Sequence, residues 1–320
     1  MRRWVGPSDD VDYENALGTP ILDSFEVPQG AYESVFDFGC GCGRQARQLL
    51  QQTLRPRRYI GIDVNPALID WCRENLTPVD SNFKFLHHDV YSPWYAPGNS
   101  LRLSQPFPAE DASVSLLVGT SVFTHLSRPQ VEYYLGELAR VLRPDGIAYT
   151  TWFFFDRASI PCVPELYSLY TSEIDFGQAV LFDREWFLAM IRSLGLAVRQ
   201  TVPPGIPGFQ WIVFLEHRTP DSIDRFPIGL DGAEWVSGAT LKAMAEPSLS
   251  SDMVEKHRRA HPVRIAEGKP GAPPLFGALA QLHEMQESRA WAIGRALTSP
   301  VRRLRAFVRQ TRSRPGREQD

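Results

Sequence analysis

The stretch Ser34–Arg47, SVFDFGCGCGRQAR, decides how the rest of the chain is read. Val35, Phe36 and Phe38 form a short apolar run of the kind that makes a buried parallel strand, with Asp37 inside it. Gly39, Gly41 and Gly43 follow at alternate positions, and a helical pattern then runs from Arg44 to Gln52. Strand, glycine turn and helix open a nucleotide-binding βαβ unit, in which glycines let backbone N–H groups approach a ligand. A second strand, Tyr59-Ile60-Gly61-Ile62-Asp63, ends in an acid about 20 residues past the last glycine, the place of a ribose-binding carboxylate. The unit points to an adenosine-containing cofactor.

Gly41-x-Gly43-x-x-Ala46 satisfies a dinucleotide fingerprint, so the glycines alone leave a dehydrogenase open. Asp37-x-Gly39-x-Gly41-x-Gly43 tilts the reading, because it resembles motif I of the class I S-adenosylmethionine-dependent methyltransferases. An acid there would also repel a pyrophosphate. The resemblance implies S-adenosyl-L-methionine as cofactor, with Asp37 near the cationic end of its methionine moiety. It places the turn Gly39, Cys40, Gly41 and Gly43 against the carboxypropyl chain, Asp63 at the ribose and Asp89 at the adenine amino group. Val64, Val90, Gly119 and Thr120 are assigned to the same site.

With 320 residues, 43% hydrophobic and 22% charged, the chain has room for one large α/β domain and an appendage. No apolar run reaches the roughly 18 residues of a membrane span, and no apolar core of a signal peptide follows Met1-Arg2-Arg3-Trp4. Four cysteines, Cys40, Cys42, Cys72 and Cys162, are too few and too irregular for a disulfide framework and suggest a reducing cytoplasm. From Arg289 to Asp320 there are nine arginines against two acids, so the net charge of −3 divides into a +7 tail and a −10 body. An acidic body does not suit a nucleic-acid binder, whose positive charge lines its working face.

Asp12–Phe25 carries apolar residues near helical spacing, interrupted by Gly18 and Pro20, and reads as an entry helix that either lids the cofactor or packs on the sheet. A helix from Asn65-Pro66 to Asn75 and a third strand, Asn82–His87, follow, ending in His87-His88-Asp89. Adjacent strand histidines point to opposite faces, so no metal site is expected. The long connection Tyr91–Pro108 lies above the carboxyl edge of the sheet, where such loops are usually functional. Its Trp94-Tyr95-Ala96-Pro97-Gly98 resembles a Tyr-Asn-Pro-x-Gly loop of a methyltransferase branch associated with glycan and lipopolysaccharide assembly. Strand four, Ala112–Val118, then SVFTHL, a helix from about Pro129 to Leu142, a turn at Pro144-Asp145-Gly146 and strand five, Ile147–Phe154, match the same branch.

Asp183 caps a helix over Arg184–Leu194, and Leu196–Val202 with Gln210–His217 read as a closing antiparallel hairpin. The implied fold is α/β: Rossmann-like, a seven-stranded mostly parallel sheet ending in that hairpin, with a helical and irregular C-terminal extension. The expected organisation is an entry helix over 1–33, a methyltransferase domain over 34–218, a Pro/Gly-rich linker over 219–275 and a basic amphipathic tail over 276–320.

A neutral alcohol acceptor must lose a proton on methylation, and histidine is the commonest base for that step. His125, just past strand four, is the candidate base, with a helix-capping role as the plain alternative. Tyr95, Trp152 and Trp211 are candidate walls for a sugar or aromatic acceptor, or core residues. Arg44 is either a cofactor or acceptor contact or a solvated arginine. The favoured activity is O-methylation of a sugar hydroxyl in a glycan, glycolipid or glycosylated metabolite. N-methylation of protein or nucleic acid, and a catalytically silent cofactor-binding partner of a glycosyltransferase, stand as alternatives. The expected partners are a sugar-containing or small-molecule acceptor and, through Val301, Leu304, Phe307, Val308 and the intervening arginines, an anionic membrane surface or a glycosyltransferase. The expected location is cytoplasmic, peripheral at the inner face of the membrane.

Overall fold

The structure is a computed structural model that describes residues 13–25, 27–92, 95–156, 168–170, 180–204 and 210–226. The chain divides into two compact units, residues 1–262 and 263–320, and all described residues lie in the first. Trp94, Cys162, most of the expected linker and the basic tail lie outside the described residues.

Five strands run parallel in the order β3-β2-β1-β4-β5: β1 (Ser34–Phe38), β2 (Arg58–Asp63), β3 (Phe83–His87), β4 (Val114–Gly119) and β5 (Leu142–Phe155). Two short strands, β6 (Ser168–Tyr170) and β7 (Val180–Asp183), attach at the far end of β5 through Phe153–Phe155. The last two, β8 (Leu196–Val202) and β9 (Trp211–His217), form the antiparallel hairpin, and β9 pairs with β5 over Ala148–Trp152. The seven strands expected from the sequence are therefore present, in Rossmann-like order, and β6 and β7 are additions.

Period-two alternation assigns the two faces. Phe36, Phe38, Ile60 and Ile62 pack with helices α3 (Arg128–Val141) and α4 (Arg184–Ser193). Val35, Tyr59 and Val118 pack on the opposite face with α1 (Arg44–Leu50) and α2 (Pro66–Asn75). Caps fix where the helices begin. The Asn65 side chain accepts N–H bonds from Ala67 and Leu68, and Asp183 accepts one from Trp186 at 3.0 Å.

One expectation is corrected. Residues 14–25 contain no α-helix, because Gly18 at φ 62° turns the chain before Pro20. Tyr13 is buried with Cys42 and Leu68, Glu14 pairs with Arg47, and Phe25 packs against Tyr149 and Phe214. Pro144-Asp145-Gly146 does interrupt the chain between helix and strand, as its composition suggests. Leu142 pairs with Val114 and Ile147 with Leu116, so residues 143–146 bulge out of the β4–β5 ladder, with Arg143 bridging Glu33 and Asp145. Gly146 is required there because a Cβ would lie 2.8 Å from the Val114 carbonyl oxygen and 2.9 Å from Leu142 Cδ1. Gly146→Ala should thus cost about 1–3 kcal/mol, read as a lower urea midpoint, since the atom in the way is backbone of β4. An unchanged midpoint would show that the two strands are not held so close.

Candidate functional site

The carboxyl ends of β1, β2, β3 and β4 converge on one crevice. The turn after β1 is left-handed at Gly39, Gly41 and Gly43 (φ 77°, 55° and 74°), a conformation that L side chains rarely adopt. The Gly39 and Cys40 N–H groups both donate to the Ile62 carbonyl, at 2.8 and 2.9 Å, tying the turn to the end of β2. A Cβ on Gly39 would fall 2.3 Å from Val122 Cγ2, so the segment after β4 closes directly on the turn.

Three acids stand at successive strand ends. Asp63 Oδ2 accepts the Gly41 N–H at 2.9 Å and Oδ1 the Asn65 N–H at 2.8 Å. Burial raises its carboxyl above the ordinary value, opposed by those two N–H groups. Asp37 is 2% exposed and accepts the Tyr59 phenol at 2.7 Å; burial pushes it up to about 7. Asp89 is held below the usual carboxylate range by the Ser100 N–H, which it accepts at 3.0 Å.

The connection after β3 folds back over this crevice. Asn99 pins it by donating to the carbonyls of Val64 and Val90, at 2.9 and 3.0 Å. Tyr95 accepts an Asn65 side-chain bond through its carbonyl at 3.4 Å and reaches His125, Oη to Nε2, at 3.3 Å. The loop therefore spans from the end of β2 to the turn after β4. Thr120 accepts a bond from Gln45 at 2.8 Å, and Gly119 sits beneath the Phe123 ring. Ser121 has φ 56°, held by its N–H to Thr151 Oγ1 at 2.7 Å and its hydroxyl to Gln210 Oε1 at 3.0 Å.

Among the expected acceptor walls, Tyr95 is 42% exposed, whereas Trp152 and Trp211 are core residues. Trp152 has no exposed surface: it stacks on Phe123 at 4.5 Å and donates to Thr150. Trp211 stacks on Phe226 at 5.3 Å. Their place in β5 and β9 turns both rings into the core. Ser121, Gln45, Gln210 and Asn99 were missed by sequence reasoning; each is a small polar residue without a motif, placed by contacts distant in the chain. His87 and His88 do point apart. His87 bonds the Val64 carbonyl, and His88 is buried between Tyr134 and Gln105, its imidazole pulled down to about 4 by burial. No group of three His, Cys, Asp or Glu side chains able to hold a metal occurs among the described residues.

Residues 35–146 match a family model described as a methyltransferase domain. This segment is similar to methyltransferase domains, and S-adenosylmethionine is the cofactor that the similarity supports. A curated relative, the fatty-acid O-methyltransferase of Mycolicibacterium smegmatis, is 34% identical over 112 residues, 35% of this chain and 34% of its own. The chain thus spans about a third of that relative's length. Among solved structures, a TehB-like S-adenosylmethionine-dependent methyltransferase from Corynebacterium glutamicum is 18% identical, covering 62% of this chain and 85% of its own, with a TM-score of 0.40. An O-methyltransferase from neocarzinostatin biosynthesis, solved with S-adenosylmethionine and a naphthoic acid, is 12% identical with a TM-score of 0.40, covering 60% and 51%.

The methyltransferase domain's acids fit that cofactor. An ammonium, a ribose diol and an adenine amine are all donors, so three acceptors at three strand ends complement them, while a pyrophosphate would meet the same three carboxyls as repulsion. Each Asp63 oxygen keeps a second lone pair for a hydroxyl. Asp63→Ala should weaken S-adenosylmethionine by at least about 2 kcal/mol in calorimetry, the worth of two charge-assisted bonds. Unchanged affinity would remove Asp63 from the cofactor site.

Proposed function

We propose that the protein is an O-methyltransferase acting on a hydroxyl of a sugar-containing or other small acceptor, with His125 as its base. The observation that carries this reading is the placement of His125 after β4, half-buried, with Nε2 against the phenol of Tyr95 at 3.3 Å. The cofactor, when bound, supplies an activated methyl group for in-line displacement. The chain's work is to hold Asp37, Asp63 and Asp89 at the strand ends, to exclude water with the loop carrying Asn99 and Tyr95, and to take a proton on the His125 imidazole. The exposed ring of Tyr95, edge-on to His125 at 5.4 Å, offers the aromatic face on which a sugar stacks. The resemblance of its loop to that of glycan-associated enzymes supports a saccharide acceptor.

A second reading, a carboxylate acceptor, is favoured by the relative named as a fatty-acid O-methyltransferase. A carboxylate is already ionised at neutral pH, so its methylation needs no base. The two readings separate on His125→Ala, assayed with methyl-labelled cofactor on saccharides and on fatty acids. With a hydroxyl acceptor, turnover should fall about 10²–10⁴-fold while cofactor affinity is kept. Fatty-acid methylation that survives the substitution within a few-fold would favour the second reading. Transfer to amines alone would overturn both.

A further inference from the structure

Tyr59 lies on β2 two residues before the register partner of Asp37, which is Gly61. The two side chains share one face of the sheet, on the diagonal of a strand pair, a separation that only a long side chain crosses. Tyr59 crosses it because residue 61 is glycine. A Cβ there would lie 2.9 Å from Tyr59 Oη and 3.0 Å from both Cβ and Sγ of Cys40. The phenol thus passes over Gly61, with its ring stacked on Phe83 at 4.8 Å, and donates to Asp37 Oδ2 at 2.7 Å. Tyr59 has no exposed surface, and Asp37 almost none. No other described residue donates to Asp37, so Oδ1 is left for a ligand.

We propose that Tyr59 is a positioning residue for the cofactor's amino-acid end: it grips one oxygen of Asp37 from within the sheet and turns the other toward the ligand's ammonium. The inference rests on the cofactor assignment above and not on the acceptor. A plain structural role would be a buried polar pair that stabilises β1 against β2. The two roles differ in what they do to ligand binding as pH changes.

The charged and titratable groups around Asp37 are Tyr59 and Asp63 from β2, Cys40 from the glycine turn, Arg44 from α1 and Cys72 from α2. Burial raises Asp37 to about 7, and the phenol and Arg44 hold it down against burial and the Asp63 charge. A cation beside Asp37 needs the ionised form. Affinity for it therefore rises with pH up to the Asp37 pKa and is level above it. Removing the phenol raises that pKa, so the bend moves to higher pH.

The test is calorimetric titration with S-adenosylhomocysteine and with 5′-methylthioadenosine, the same nucleoside thioether without the amino-acid end, from about pH 5.5 to 8.5, a window spanning the ordinary and raised carboxylate values. Effects from Asp63 are common to both ligands and cancel in the affinity ratio. For the parent protein, the ratio should climb up to about tenfold per pH unit below about 7 and flatten above it. In Tyr59→Phe the bend should move up by about one pH unit, with methylthioadenosine affinity within a few-fold of the parent. Asp37→Asn, an isosteric change, should give a low ratio that no longer varies with pH, and it serves if the phenylalanine variant fails to fold. A bend at the same pH in Tyr59→Phe, an Asp37→Asn ratio that still follows pH, or equal losses for both ligands would overturn the proposal while leaving the cofactor assignment intact. Failure of the parent to bind either ligand would overturn both.

Discussion

The Ile62 carbonyl oxygen accepts two N–H groups, those of Gly39 and Cys40, at 2.8 and 2.9 Å. This shared acceptor binds the turn after β1 to the last residues of β2. Because the turn is fixed there, the Gly41 N–H meets the Asp63 carboxylate, and the left-handed backbone of three alternating glycines follows from that closure. The neighbouring strand ends inherit the arrangement. Val122, after β4, packs where a Cβ on Gly39 would be, and Cys72 of α2 donates its thiol to the Gly41 carbonyl at 3.6 Å. Loosening the turn would thus disturb β1, β2, β4 and α2 together.

The site that results is chemically one-sided. Its three strand-end carboxyls suit a ligand made of donors and a positive charge, and they differ in environment. Asp37 is buried and raised, Asp63 is bonded at both oxygens, and Asp89 is half-buried and depressed. A buried acid with a raised pKa lowers the stability of the empty protein as pH rises through the interval between its unfolded and folded values, here about 4 to 7. Such a cost is a common mark of a functional position. The neighbouring surface is assembled differently, from loops and strand starts: Tyr95 over His125, Ser121 held in a left-handed conformation, and Gln210 just ahead of β9.

The glycine turn and the acid at the end of β2 were legible in the sequence because glycine spacing and a strand-end acid are local signals with a direct backbone cause. The caps at Asn65 and Asp183 were legible for the same reason, whereas the sheet architecture with its closing hairpin came from the family resemblance. The surroundings of His125 were not legible. Trp152 and Trp211 read equally well as pocket walls or core, and only their positions on β5 and β9 decide for core. Ser121 and Gln210 meet across 89 positions, a distance at which no sequence pattern speaks.

The central claim, that the ends of β1, β2 and β3 hold an adenosyl amino acid, is tested most directly by a crystal structure with S-adenosylhomocysteine. The account expects the ribose hydroxyls on Asp63, the adenine amine toward Asp89 and the ammonium on the free oxygen of Asp37. A nucleoside bound elsewhere, or one leaving Asp63 in contact only with the N–H groups of Gly41 and Asn65, would contradict it.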